Sequence, residues 1–165
     1  FDAKPMLKAA LAGHDLGLVS EAGMPAVADP GSSVVRAAHE LGIRVVPLVG
    51  PVSLLLALAA SGLNGQNFAF VGYLPQDGVA RTQRLRELEN LAAKHGQTQM
   101  FIETPYRNQA LWDALVNGLQ GNTRLARASG LTMATMQVHC KTVQAWRNAG
   151  KAQISGEPTV FLIGK

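Results

Sequence analysis

The 165-residue sequence has a single cysteine, Cys140, which excludes an intrachain disulfide framework and suits a reducing compartment. It also lacks long apolar runs. The longest, about Leu54–Ala60, falls far short of the roughly 20 residues a bilayer span needs. No charged segment followed by an apolar stretch opens the chain, so nothing argues for secretion and a cytoplasmic location is expected. Aromatic residues are few, at 5%, and charged residues make up only 16%. With 47% hydrophobic residues, a disordered tail or a long coiled coil is excluded, and a chain of this length can bury a core without staples. Blocks of like charge are missing too, but the charge is uneven. Residues 1–75 hold four Lys or Arg against five Asp or Glu, and residues 76–165 hold eleven against six. Such a basic half suits a polyanion, RNA above all; a solvated surface is the alternative.

The familiar chemical signatures are absent. There is no P-loop, no G-x-G-x-x-G, no G-x-S-x-G, no H-E-x-x-H and no paired C-x-x-C. His14, His39, His95 and His139 are scattered without metal-ligand spacing, so no metal is expected. Of these, His39 and His95 sit near glycines that end helices, where a cation suits the helix dipole. Cys140 lies in a strand-like run and reads as a small core residue.

What the chain does have is an alternation of short apolar runs and helical stretches. Leu16–Ser20 reads as a strand, Ser32–Leu41 as a helix stopped by Gly42, Ile43–Leu48 as a strand, and Ser53–Ser61 as an apolar helix. That order predicts a parallel sheet with crossover helices. The polar stretch Gly62–Asn67 reads as a linker, which gives one α/β unit over residues 1–66 and a second over 67–165. In the second unit, strands are expected at Phe68–Leu74, Thr98–Glu103, Thr123–Ser129, Val138–Val143 and Thr159–Ile163. Helices are expected at Arg81–His95 and Pro105–Leu119. Two strands are few for a parallel sheet, and the sequence starts at Phe1 rather than methionine. Further strands of the first unit are therefore expected ahead of Phe1.

Between the first strand and its helix runs Ser20-Glu21-Ala22-Gly23-Met24-Pro25-Ala26-Val27-Ala28-Asp29-Pro30-Gly31. Ligands of open α/β sheets bind outside the carboxyl ends of strands, and a Gly/Pro loop there is a candidate cradle. A capped connection, with Asp29 or Ser32 as N-cap, is the alternative. The loop Val49-Gly50-Pro51-Val52-Ser53 repeats the arrangement after the next strand.

SEAGMPAVADPG, then RVVPLVGPVSLLLALAASGL, then FVGYLP resembles the tetrapyrrole (corrin/porphyrin) methylase superfamily. Within it, the small-subunit ribosomal RNA (cytidine-2′-O)-methyltransferase I branch is the most similar. FIETPYRN, Ala126-Arg127-Ala128 and Gly156-Glu157-Pro158-Thr159-Val160 continue the likeness through the second half. Glu21, Met24, Val49-Gly50-Pro51-Val52-Ser53, Tyr106 and Ser129-Gly130-Leu131-Thr132 depart from that branch's pattern, which bears more on substrate identity than on cofactor binding. The resemblance implies two α/β domains, a parallel-sheet one that is incomplete here and a mixed-sheet one, with S-adenosylmethionine as methyl donor in the cleft between them. It implies that Ser20, Glu21, Ala22, Gly23 and Met24 line the methionine end, with Ser53 helping from the next loop. Glu103, Thr104, Ala128, Ser129, Pro158 and Thr159 would approach the adenosine.

By the same resemblance the chain is a methyltransferase acting on ribosomal RNA, and a homodimer. Two alternatives stay open: a methylase of a tetrapyrrole or other small molecule, and a non-catalytic cofactor-binding relative. No catalytic base is identified; Glu21 fits by residue type, as does a plain surface or capping role. If RNA is the acceptor, the Arg81, Arg84 and Arg86 stretch is the expected polyanion contact, with Arg84–Glu87 and Arg86–Glu89 surface pairs as the alternative.

Overall fold

The computed structural model describes residues 2–165, which separate into two compact units, the first ending at Val52 and the second spanning Ser53–Lys165. In the first, a 3-10 turn at Lys4–Leu7, which has Pro5 at its start, runs into α1 (Lys8–Leu11). A second helix, α2 (Ser32–Glu40), turns Ala37 and Ala38 inward onto Ala3 and Leu7. Lys4 Nζ and Glu40 Oε2 pair at 3.2 Å on the surface. The alternative of a side-chain cap on α2 from Asp29 or Ser32 is not realised. Instead its start is set by Gly31, whose carbonyl accepts the Val34 and Val35 N–H groups. Gly42, at φ 69°, ends it as expected.

The parallel sheet expected of this unit is not formed: among its described residues there is no strand. Leu16–Ser20 and Ile43–Leu48 have strand composition but no ladder partner. β propensity measures how well a side chain fits a pleated, half-buried surface, and without a neighbouring strand there is no such surface. Val19 is accordingly 86% exposed and Leu48 79%.

The second unit carries the α/β architecture. It opens with α3 (Ser53–Ser61) and continues with β1 (Phe68–Tyr73), α4 (Gly78–His95) and β2 (Thr98–Ile102). A 3-10 turn at Pro105–Arg107 leads into α5 (Asn108–Gly118). Then come β3 (Arg124–Ser129), β4 (Gln137–Thr142), α6 (Val143–Asn148) and β5 (Thr159–Gly164). The five strands form one mixed sheet in the order β1-β2-β5-β3-β4. Only β1 and β2 are parallel; the other neighbours run antiparallel. Every strand expected in this unit is present, with ends shifted by a residue at most.

Strand alternation sorts the side chains onto two faces. Phe101, Leu125, Phe161 and Ile163 face α4, α5 and α6, where they meet Leu88, Leu111, Trp112, Leu115 and Trp146. Met100, Ala126, Ala128, Val160 and Leu162, also buried, alternate with them, and α3 packs against β3, β4 and β5. The Phe101 and Phe161 rings stack across the β2–β5 pair at 6.3 Å.

Helix α4 starts three residues before the expected Arg81, because the Asp77 carboxylate accepts the Ala80 N–H at 2.8 Å and caps it. Arg84 and Glu87 pair at 3.1 Å. The Arg86–Glu89 pair does not form. Glu89 turns inward, 6% exposed, and accepts from the Gln120 N–H at 2.8 Å and from the Thr123 hydroxyl. It ties α4 to the turn before β3.

Candidate functional site

In the first unit, Ser20–Met24 lie in an irregular loop. Glu21, Ala22 and Gly23 are exposed, and Ser20 and Met24 half-buried. Four residues between Gly23 and Gly31 have left-handed backbones: Gly23 (φ 79°), Ala26 (φ 64°), Ala28 (φ 59°) and Gly31 (φ 140°). For alanine that conformation costs about 1–2 kcal/mol, and such strain concentrates at ligand clamps. The loop holds itself in this shape with few bonds. Ala26 N donates to Pro30 O at 3.2 Å, Val27 N to Met24 O at 3.2 Å, and the Ser20 hydroxyl to Ala22 O at 3.3 Å. A Cβ built on Gly23 would point into open space, with no protein atom within 4 Å. Ser53 sits exposed at the first position of α3 and is grouped with the second unit.

The second unit gathers six sequence-identified residues at one end of its sheet. Glu103 and Thr104 follow β2, Ala128 and Ser129 end β3, and Pro158 and Thr159 lead into β5. The register makes them neighbours: Ala128 pairs with Val160, Ser129 with Thr159, and Ile102 with Val160 on the other side. The Ser129 and Thr159 hydroxyls lie 2.9 Å apart, and Thr159 Oγ1 also donates to Glu157 O at 3.0 Å. Gly130 N donates to Pro158 O at 3.1 Å. Gly130 is at φ 58°, and a Cβ there would lie 2.7 Å from the Glu157 carboxylate, which in turn accepts from the Thr135 hydroxyl at 2.6 Å. Thr132, a β-branched residue at φ 68°, adds strain to the same hairpin loop.

Glu103 is the most constrained carboxylate here, its side chain 4% exposed. Its Oε1 accepts from the Thr104 N–H at 2.7 Å, from Arg107 Nη2 at 2.9 Å and from Arg107 Nε at 3.1 Å. Burial pushes its pKa up, but the Thr104 N–H and the Arg107 guanidinium outweigh it and hold the carboxyl below the usual glutamate range. A depressed folded-state pKa contributes stability that is complete above the unfolded value, about 4.3, and is lost as pH falls through the lower folded value. Glu103→Gln is therefore expected to lower Tm at pH 7 and to flatten the decline of Tm below about pH 4. Parallel Tm-versus-pH curves for the two proteins would show that the pair contributes nothing.

Sequence reading missed two further residues. Asn108 is wholly buried at the first position of α5; its amide donates to Glu157 O at 2.9 Å, and its Oδ1 has no partner. A polar residue directly after Pro-Tyr-Arg at a helix start was the available signal. Arg127 occupies an inward position of β3, between Leu125 and Ser129, with its guanidinium 5.2 Å from the Trp112 ring centroid and 5.3 Å from that of Trp146. The alternation of β3 marks that arginine as facing the core side. Cys140, on β4, is half-buried, and burial pushes its thiol pKa up, consistent with a packing role. No described helix is long and apolar enough to cross a membrane.

The sequence matches the family described as Tetrapyrrole (Corrin/Porphyrin) Methylases over residues 2–145. It is 40% identical to the Ribosomal RNA small subunit methyltransferase I of Vibrio cholerae, over 77% of this chain and 43% of that protein. The identically named protein of Mesorhizobium japonicum is 41% identical over 87% of this chain and 48% of its own length. That of Pseudomonas aeruginosa is 36% identical over 92% and 54%. The chain thus spans about half the length of the curated relatives it matches. Among solved structures, the methyltransferase CobJ gives a TM-score of 0.61 at 20% identity, covering 99% of this chain and 70% of that one. A conserved hypothetical protein of Aeropyrum pernix gives 0.57 at 19% identity, covering 87% and 56%. Both are likenesses of fold.

Proposed function

From the premise that the chain belongs to the tetrapyrrole (corrin/porphyrin) methylase family, we propose that the full-length protein is an S-adenosylmethionine-dependent methyltransferase acting on a ribose 2′-hydroxyl of small-subunit ribosomal RNA. The observation that carries the acceptor is the 36–41% identity to three proteins named for small-subunit ribosomal RNA methylation, across most of this chain. The methyl donor would supply an already activated methyl on a sulfonium, so the protein's work is binding, alignment and exclusion of water.

The residues present suit that donor. The Ser20–Met24 loop exposes backbone around a glycine whose missing Cβ leaves open space, and we assign it to the methionine end with Ser53. Glu103, Thr104, Ala128, Ser129, Pro158 and Thr159 we assign to the adenosine. Glu103 Oε1 is saturated by Thr104 and Arg107, so its Oε2 is the oxygen left to accept from a ribose hydroxyl. The orphaned Asn108 Oδ1 is a second acceptor near Glu157.

The composition break at residues 62–67 is our proposed domain boundary, with domains at 1–66 and 67–165. Support comes from the polar, Gly- and Asn-rich composition of that stretch directly after the apolar helix α3. A cytoplasmic homodimer is proposed on the family resemblance.

The test is transfer of labelled methyl from S-adenosylmethionine to small ribosomal subunits by the full-length protein, read by nucleoside mass spectrometry. One 2′-O-methylated nucleoside per ribosomal RNA is expected. Label in a tetrapyrrole and none in RNA would overturn the acceptor, and no transfer to any acceptor would favour a non-catalytic relative.

A further inference from the structure

On the helix-covered face of the sheet, at its β4 edge, we propose a binding track for the phosphate backbone of single-stranded RNA, built on Arg127 and Lys141. The inference rests on RNA as the acceptor and says where the strand lies.

Arg127 has the wrong surroundings for a purely structural arginine. It is half-buried, burial pushes its pKa down, and among the described residues it has neither an ion pair nor a side-chain hydrogen bond. A guanidinium has five N–H donors, and burying them unmet is unfavourable unless something held by the site meets them. What holds Arg127 in place is aromatic: Trp112 and Trp146, edge to face at 4.9 Å, both carry it on their rings. Lys141 Nζ sits 4.9 Å from the Trp146 centroid, so the same ring positions a second cation. Leu125 pairs with Lys141 and Arg127 with His139, which puts the backbone positions of Arg127 and Lys141 two residues apart along the strand direction, about 7 Å. Neither cation is neutralised by a carboxylate among the described residues.

In front of Arg127 lies an open cavity of about 340 Å³ lined by Arg127, Ser129, Gln137, Gln153, Ile154 and Ser155. Apart from Ile154 its lining is polar, and it contains no acid. The far wall is fixed, because Gln109 receives the Ile154 N–H at 2.9 Å and donates to Ala152 O at 3.2 Å. Neutral amide and hydroxyl donors around an unpaired guanidinium suit a phosphodiester oxygen. Both tryptophans are buried and already engaged, so they offer no free face to a base, and the contact reads backbone rather than sequence. Gln137, His139 and Lys141 continue the track along the exposed edge strand. Its inner end is Ser129, at the sheet end assigned above to the cofactor. The rival cluster on α4 is weaker, since Arg84 is already paired with Glu87.

The experiment is fluorescence anisotropy of a labelled, mixed-sequence single-stranded oligoribonucleotide with the full-length protein over a salt series. Arg127→Gln with Lys141→Gln is expected to reduce affinity about tenfold at low salt and to lower the log–log salt slope by about 1.4, at roughly 0.7 per lost contact. Lys141→Gln alone, at an exposed site that does not endanger folding, is expected to lower the slope by about 0.7. Unchanged RNA affinity in both variants overturns the track, as does loss confined to an Arg81, Arg84 and Arg86 triple alanine variant. Loss of S-adenosylmethionine affinity in the double variant with RNA binding intact also overturns it and gives the cavity to the cofactor. Equal competition by polyglutamate at matched charge overturns the assignment to RNA. Methylation of ribosomal RNA with an unchanged KM for RNA in Lys141→Gln sinks the track and leaves the methyltransferase reading standing. RNA bound through the track by a protein that methylates no RNA supports the track while that reading fails.

Discussion

Replacing Trp146 by alanine is expected to cost about 3–5 kcal/mol of folding stability, a large share of the roughly 5–15 kcal/mol that holds a typical domain together. Three roles of the side chain add up to that loss. It fills the space between α6, β3 and β4 at 6% exposure, edge-on to Trp112. Its Nε1–H donates to Leu125 O at 2.8 Å, so truncation leaves a buried carbonyl without that donor. It also carries Lys141 and Arg127 on its ring. Trp146→Phe separates these roles: it keeps most of the volume and a ring face but loses the donor, and about 1 kcal/mol is expected from the lost hydrogen bond. Urea melts followed by far-UV circular dichroism give both numbers. An alanine variant within about 1 kcal/mol of wild type would mean that α6 is not part of the cooperative core.

That helix was not legible in the sequence, and the reason is its length. Val143–Asn148 is six residues, too short for a repeating apolar stripe, and it follows β4 without a loop. Its one local signal is Thr142, whose hydroxyl accepts the Ala145 N–H at 3.1 Å as an N-cap. The strands of the second unit were legible because each is a short run between turn formers, β1, β2 and β5 rich in β-branched and aromatic residues, and each found a partner in the sheet. Leu16–Ser20 and Ile43–Leu48 have the same composition but no described partner, and pairing is what sequence cannot supply. Glu89 shows the limit for side chains. Its spacing from Arg86 fits a surface pair, but the helix's rotation, fixed by Leu85 and Leu88, carries it to the interior. Glycines and prolines marked the Ser20–Gly31 loop as unusual. The left-handed Ala26 and Ala28 could not be foreseen, because alanine has no preference for that region.

Gly23, one of the loop's two left-handed glycines, gives the sharpest functional test. Gly23→Val is expected to abolish S-adenosylmethionine binding by the full-length protein in isothermal titration, where wild type is expected to bind one equivalent per chain. Two effects act together. At φ 79° a β-branched residue is a strained outlier, at about 1–3 kcal/mol, and the loop has only three weak internal bonds with which to hold it. The added side chain would also fill the open space in front of Gly23, where the methionine end of the donor is assigned. Asparagine distinguishes the two, since it tolerates the left-handed region but still carries a Cβ and an amide into that space. Gly23→Asn is therefore expected to keep the loop's conformation and still bind at least tenfold more weakly, about 1.4 kcal/mol. Wild-type affinity in the asparagine variant would mean that the glycine serves backbone geometry alone and that no ligand closes on it. Wild-type affinity in the valine variant would remove this loop from the cofactor site altogether, leaving the sheet end around Glu103, Ser129 and Thr159 as the place to look.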